Sequence, residues 1–333
     1  MARIETVDAL EAVVGKKPPA LDLKVIDHID SHAANFLSHA RAMFGCIAGS
    51  AGLTSLIAGG KPGFATPDHT LLKIPQESLD PHGELSIGSA FGSLWLVPGL
   101  GETLRINGYL KQSTHSHLMI EVTECYLHCA KAFIRSGFWD ARPGDSNLDD
   151  PIDFVRQSSF MTLGTIDQDN RADLSPKGDP AGRLAMFKTG EIHFADRPGN
   201  KRTDSFRNIL SQPEVCATFV IPGCLQMLTV KAAAYLSTNE DLCAPFTVDG
   251  KKPKLVVKLH DARVELNQSA ALEHAHLWPS PDAPNDLDPA KIFTAHMKLS
   301  KQKGLASSVT RTIVSLPGVM RRGLADDYEN NLY

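Results

Sequence analysis

A long internal repeat constrains this chain more than any other feature. Leu94-Trp-Leu-Val-Pro-Gly99 runs into Leu104-Arg-Ile-Asn-Gly-Tyr-Leu110, and Thr218-Phe-Val-Ile-Pro-Gly223 runs into Leu228-Thr-Val-Lys-Ala-Ala-Ala-Tyr-Leu236. Both copies read strand, Pro-Gly turn, strand. Leu118-Met-Ile-Glu-Val122 and Leu255-Val-Val-Lys-Leu259 come next, then a tryptophan in each, Trp139 and Trp278. More faintly, 44–64 can be laid on 160–184, with Phe44 on Phe160. Repeat one therefore spans roughly 28–142 and repeat two roughly 151–280, separated by the Pro- and Asp-rich stretch Pro143–Pro151. Two copies of this length mean a duplicated domain rather than a solenoid. Many short strands in each predict two antiparallel barrels or sandwiches. Residues 1–27 form an N-terminal extension, and 281–333 match neither copy. In that tail Pro281–Asp286 reads as a linker, and Ala290–Lys303 as a helix with Ile292, Phe293 and Leu299 as apolar contacts. Gly304 and Leu316-Pro-Gly318 interrupt the remainder of the tail.

Charge and cysteine usage narrow the function classes. Lys and Arg total 34 against 38 Asp and Glu, a net charge of -4. A nucleic-acid binder would be basic overall or carry a basic face, so no nucleic-acid partner is expected. Ala42–Gly60 carries no charge for 19 residues and holds Gly45 and Gly49 at G-x-x-x-G spacing. Its five glycines and its lack of dense Leu, Ile and Phe argue for short strands and against a membrane span. The first residues, MARIETVDALEAVVGKK, lack the apolar core of a secretory signal. None of the six cysteines forms a C-x-x-C pair. Reduced thiols in a cytoplasm are the resulting expectation. Cys129 beside His128 has the look of a catalytic thiol, but a small buried hydrophobe is the commoner role of a free cysteine.

Two stretches carry possible chemistry. In Asp196-Arg-Pro-Gly-Asn-Lys-Arg-Thr-Asp-Ser-Phe-Arg-Asn-Ile-Leu210, Thr203 or Asp204 caps a short helix whose apolar face is Phe206, Ile209 and Leu210. Arg197, Lys201 and Arg202 precede it. Cations at the positive end of a helix are unfavourable unless an anion sits there. A Gly-containing turn, free N–H groups and cations together make a phosphate cradle; a solvated basic loop is the alternative. The second stretch, Ala172-Asp-Leu-Ser-Pro-Lys-Gly-Asp-Pro180, ends a strand in a Gly/Pro-shaped knot that lets backbone approach a flat ligand. Asp167-Gln-Asp-Asn170 resembles the start of a calcium loop, but Arg171 and Ala172 stand where a ligand and a glycine are needed, and no metal site is expected.

These motifs resemble the FMN-binding split barrel of pyridoxamine 5'-phosphate oxidase-like proteins. The nearest subgroup carries S-P-[KR]-G-D-P, R-P-G-N-[KR]-R, E-T-L-R-[VI]-N-G and H-C-A-K-A followed by a Trp. This chain has all of them, divided between its copies. Glu102-Thr-Leu-Arg-Ile-Asn-Gly108 and His128-Cys-Ala-Lys-Ala132 are in copy one; Ser175–Pro180 and Arg197–Arg202 are in copy two. The reciprocal positions have drifted. Copy one reads Pro75-Gln-Glu-Ser-Leu-Asp-Pro-His-Gly-Glu84 at the cradle and Ile57-Ala-Gly59 at the knot. Copy two has Thr229 for Arg105, and Glu265 and Gln268 for His128 and Lys131.

The resemblance covers roughly 28–280, and it implies a mainly β fold with flanking helices. Two tandem split β-barrels would form an intrachain pseudo-dimer, with further self-association open, and one working FMN site. It implies Lys201 and Arg202 on the phosphate with Asn200 and Thr203 as neutral donors, and Arg197 in the same cradle. Ser175 and Lys177 would face the flavin edge or ribityl chain, and Arg105 would reach across from copy one. Lys177 and Lys131 are candidates for tuning reduced flavin. His128, Lys131 and Lys177 are the candidate catalytic groups, although a structural role for His128 is the commoner one. The activity implied is two-electron transfer between FMN and a small organic substrate or NAD(P)H. Authentic vitamin B6 oxidation is not expected, because Val319–Tyr333 has two arginines and no R-L-H-type motif. A non-catalytic flavin carrier or sensor, and a haem-handling barrel using His274 or His276, remain as alternatives.

Overall fold

The computed structural model describes residues 3–49, 52–144, 147–199, 202–300 and 318–333. The first copy's strands are β2 (Ala42–Gly49), β3 (Gly52–Gly59), β4 (Thr66–Asp68), β5 (Leu71–Pro75), β6 (Ala90–Leu96), β7 (Thr103–Ser113) and β8 (His117–His128). They pair antiparallel in the order β3-β2-β6-β7-β8-β5-β4. The second copy supplies β9 (Phe160–Ile166), β10 (Ala172–Gly178), β11 (Ala185–Lys188), β12 (Glu191–Ala195), β13 (Glu214–Val220), β14 (Gln226–Ser237) and β15 (Val256–Gln268). Their order is β10-β9-β13-β14-β15-β12-β11, the same path strand for strand, with β1 (Arg3–Ile4) added on β14. The molecule is thus mainly β, two antiparallel sheets of the same strand order with flanking helices within one chain.

Alternation explains the uncharged run at 42–60. Met43 and Ile47 of β2, with Phe91 and Trp95 of β6, point into the first copy's own core. The intervening Ala42, Phe44, Cys46, Ala90, Leu94 and Leu96 point the other way, into a core shared with Phe160, Cys216 and Val220 of the second copy. A strand buried on both faces has no position for a charge. Met161, Leu163, Ala217 and Phe219 build the second copy's own core. Among the described residues no helix is long and apolar enough to cross a membrane.

The helices tie the copies crosswise. They are α1 (Val7–Val14), α2 (Ser31–His39), α3 (Lys131–Ser136), α4 (Pro151–Gln157), α5 (Asp204–Ser211), α6 (Glu240–Cys243), α7 (Ala270–Ala275), α8 (Pro289–Leu299) and α9 (Val319–Asn330). α3 follows the last strand of copy one but lies on β10 of copy two; α7 follows the last strand of copy two but lies on β3 of copy one. The approach is closest at Gly178 and Gly59, where an added Cβ would collide with the main chain of Ala132 and of Ala271. Leu10 of α1 enters the second copy's core, and Ile292 of α8 enters the first's.

Three details differ from the sequence-based expectations. The pairings Ala42↔Leu96 and Phe160↔Val220 put Phe160 at the place of Ala42, not of Phe44. The expected helix over 290–303 begins under an Asp288 cap and ends at Leu299; 301–303 lie outside the described residues. Leu299 is exposed, and Met297 and His296 take the buried face with Ile292, because His296 bonds Asp30 at 3.2 Å.

Candidate functional site

The crosswise packing gives the seam two ends. At one end α7 lies on β3, and Asp80 ties the contact: it accepts the Ser269 hydroxyl at 2.6 Å and the Ala271 N–H at 2.9 Å. At the other end α3 lies on β10, and there the seam opens into a cavity of about 550 Å³. That is within the usual range for a small-molecule site. His128, Cys129, Lys131 and Arg135 reach it from copy one; Ser175, Lys177, Arg197, Arg202 and Thr203 reach it from copy two. Lys251, Lys252 and Lys254 add exposed charge, against two carboxylates, Asp179 and Asp196. The walls are completed by Ala12–Gly15, Phe206 and Tyr333.

Each candidate residue has a definite setting. Ser175 and Lys177 lie within β10, so the knot is part of the strand and does not end it. Pro176 is tolerated because β10 is a sheet edge. Ser175 donates to Asp173 at 3.2 Å. The Lys177 ammonium lies 4.7 Å from the centroid of the Phe206 ring and, among the described residues, makes no hydrogen bond. Burial pulls its pKa down, and Asp196 partly restores it. Arg197 donates to Asp179 at 2.6 Å and to the Phe246 carbonyl at 2.8 Å. Arg202 donates to Asp204 at 2.6 Å and lies over the Tyr126 ring. Thr203 is the buried N-cap residue of α5, but its hydroxyl makes no cap bond and accepts instead from Arg207 at 3.3 Å. The sequence leaves an anion to be found for these cations, and the chain itself supplies part of it through Asp179 and Asp204. Asn200 and Lys201 lie outside the described residues.

Lys131 lines the cavity while bonding Asp327 at 2.8 Å and the Asn331 carbonyl at 3.0 Å. His128 is buried and, among the described residues, its Nδ1 has no partner. Burial, reinforced by Arg105, Lys24, Arg202 and Lys177, holds its pKa well below the ordinary imidazole value, so the ring is neutral at pH 7. The buried Asp179 carboxylate lies beside Arg197 and the Tyr333 phenol.

Arg105 does not line the cavity. It crosses the repeats as expected, but its guanidinium is buried against Asp173 at 2.6 Å, the Leu174 carbonyl and the Tyr126 hydroxyl. It holds the wall of the site from behind. The register also corrects the drifted partners. His128 pairs with Thr103 as Asn267 pairs with Met227, so Asn267 is its counterpart; Glu265, opposite Thr229, matches Tyr126 opposite Arg105. Lys131 and Ala270, each three residues further, open α3 and α7. His274 and His276 are exposed and line no part of the cavity. Among the described residues no cluster of three or more His, Cys, Asp or Glu could hold a metal.

Sequence reasoning missed the wall from 12–15, the basic run 251–254 and Tyr333. Their separation in sequence leaves no signal except that 251–254 is cationic. Arg135, three residues past the His128–Ala132 motif, is the one of these that the sequence marks.

No family model and no curated protein matches this chain. Similar solved structures include HupZ from Group A Streptococcus, at 17% identity and a TM-score of 0.30, covering 35% of this chain and 91% of that one. General stress protein 26 from Bacillus anthracis is similar at 12% identity and a TM-score of 0.27, covering 35% and 95%. An F420 reductase is similar at 12% identity and a TM-score of 0.28, covering 35% and 98%.

Proposed function

We propose that this chain is a flavoprotein that binds one FMN in the open end of its seam. In this reading FMN supplies reversible two-electron transfer with a small organic substrate or reduced nicotinamide. Arg202, Thr203 and the segment leading into α5 hold the phosphate; Asn200 and Lys201 belong to that cradle by sequence. Ser175 and Lys177 contact the flavin edge, and Arg105 acts as a positioning residue that fixes Asp173 and β10. Lys131 is held by 327–331 and is a secondary candidate for contact. The observation that carries this reading is the Lys177 ammonium at a cationic, half-apolar cavity, without a hydrogen bond among the described residues. His128 Nδ1, which has no partner among the described residues, fits the same reading, since buried polar atoms want partners. Neutral His128 can accept or donate a hydrogen bond at Nδ1, and Lys177 can donate one to an anionic edge.

The division of labour between copies supports one site per chain. Copy one has no helix matching α5: a single 3-10 turn, Gln76–Ser78, follows β5. The tail arginines Arg321 and Arg322 stay out of the cavity, consistent with a substrate other than vitamin B6 phosphates. A reducing, cytoplasmic setting belongs to the same reading, in keeping with cysteines that form no C-x-x-C pair. The deciding measurement is flavin extracted per chain after saturation with FMN, together with the visible spectrum. A ratio near one is expected. A ratio near two overturns the single-site reading, no bound flavin overturns the reading itself, and a Soret band in its place shifts it to haem.

A further inference from the structure

Residues 327–333 use the cavity's cations. Beyond the two bonds from Lys131, Arg135 donates to the Leu332 carbonyl at 2.8 Å, and Lys251 to a Tyr333 main-chain oxygen at 2.9 Å. The guanidiniums of Arg135 and Arg197 both lie over the Tyr333 ring, 5.8 and 5.5 Å from its centroid. Burial and the neighbouring Asp179 carboxylate push the Tyr333 phenol up from its ordinary pKa.

The match is chemically incomplete. Asp327 is the one side-chain carboxylate in this set of contacts; Lys131 otherwise meets the Asn331 carbonyl, Arg135 the Leu332 carbonyl, and Arg135 and Arg197 an aromatic ring. A cation bonds an anion more strongly than a neutral carbonyl. An incoming aromatic anion can therefore reproduce the ring contact and improve the rest. Displacement is also easy in structural terms, because most of α9 is exposed. The seam's closed end shows the contrast. There the N-terminus of α7 is bonded by Asp80, from within the first copy's fold. At the open end the Ala130 N–H, at the start of α3, is bonded by Tyr328 of the tail at 3.2 Å.

We propose that 327–333 is a displaceable internal occupant of the cavity, released when a planar aromatic anion binds beside the flavin. This rests on the flavin reading only in giving FMN the α5 side.

The test uses the full chain, with and without saturating FMN, titrated with 4-hydroxybenzoate by calorimetry, with hydrogen exchange followed over 325–333. An internal competitor lowers apparent affinity by the fraction of molecules it closes. Tyr333→Ala should therefore bind the probe about tenfold more tightly than wild type, and the probe should speed tail exchange in wild type. Unchanged or weaker binding by Tyr333→Ala, or a saturating probe that leaves tail exchange unchanged, overturns the proposal. Cyclohexanecarboxylate binding as tightly as the aromatic probe overturns its aromatic part. Full release by FMN alone puts the tail in the flavin's own seat and overturns the second subsite. If FMN does not bind but the probe still frees the tail, the flavin reading falls and this one stands.

Discussion

The two ends of the seam are built from the same parts and do opposite things. At each, a short helix follows the last strand of one sheet and presses a glycine-bearing edge strand of the other. At the closed end the strand carries Leu56-Ile57-Ala58 and the helix begins at Ala270; at the open end the strand carries Ser175-Pro-Lys177 and the helix begins at Lys131. Polar substitutions at matched positions thus turn a packed contact into a cationic cavity, with no change of strand order. The scaffold fixes where a site can form, and a few side chains decide whether one does.

The largest way to break this comparison is at the buried pair behind the open end. Asp173→Ala leaves the Arg105 guanidinium buried without its carboxylate. Removing one partner of a buried ion pair costs about 3–5 kcal/mol. Thr54 and Thr229 hold the matching places at the closed end, and Thr54→Ala should cost roughly 0.5 kcal/mol or less. Denaturant unfolding of both variants checks this. A small loss for Asp173→Ala would mean that the two ends are held alike.

Lys24 gives a pH-dependent version of the same test. It donates to the Leu127 carbonyl at 2.7 Å, beside His128, and burial lowers its pKa from 10.5 to about 8. Below pH 8 it is protonated in both folded and unfolded chains, and its burial penalty is fully present. Between about 8 and 10.5 the unfolded chain binds more protons, so stability rises with pH. Above 10.5 both forms are neutral and the penalty is gone. The stability of wild type relative to Lys24→Met should therefore climb by roughly 3 kcal/mol at most across that window. A flat difference from pH 7 to 10.5 would show that Lys24 is not desolvated.

Lys177→Met sharpens the functional side. Lys177 makes no hydrogen bond within the described chain, so its loss should fall on ligand binding and spare the fold. A charge-assisted contact is worth about 1.5–3 kcal/mol, or roughly 10- to 150-fold in the FMN dissociation constant. Ala58→Met, at the matched closed-end position, should leave FMN binding unchanged. Fluorescence titration of both variants decides it, and equal losses would point to a general packing effect.

How far the sequence carried this reading depends on where the information sits. The strand pairs, the Pro-Gly turns and the division into two copies are local patterns, and they are legible. That Ser175, Lys177, Arg197, Arg202, Thr203, His128 and Lys131 share one cavity was legible only through the resemblance. Counting along strands failed at His128, because the β7–β8 ladder slips twice and the β14–β15 ladder once. A single extra residue in a bulge shifts every later match. Arg105 shows another limit: a long cation on an alternating strand can cross the seam and still end on a carboxylate, here Asp173.

The smallest expected effect lies at the closed end. Asp80 bonds both the Ser269 hydroxyl and the Ala271 N–H, and Ser269 in turn caps α7 at the Leu272 N–H at 3.0 Å. Asp80→Ala removes the outer support and leaves the inner cap, so the cost should be about 1 kcal/mol, typical of a helix N-terminal bond. α7 also stays pinned by Ala271, Leu272 and Ala275 in the shared core. The closed end should therefore loosen without opening into a second site, and bound FMN should remain near one per chain with unchanged affinity. Thermal melting and flavin titration of this variant measure the two quantities separately. A ratio rising toward two would show that Asp80, and not the loss of basic side chains, is what keeps the second end shut.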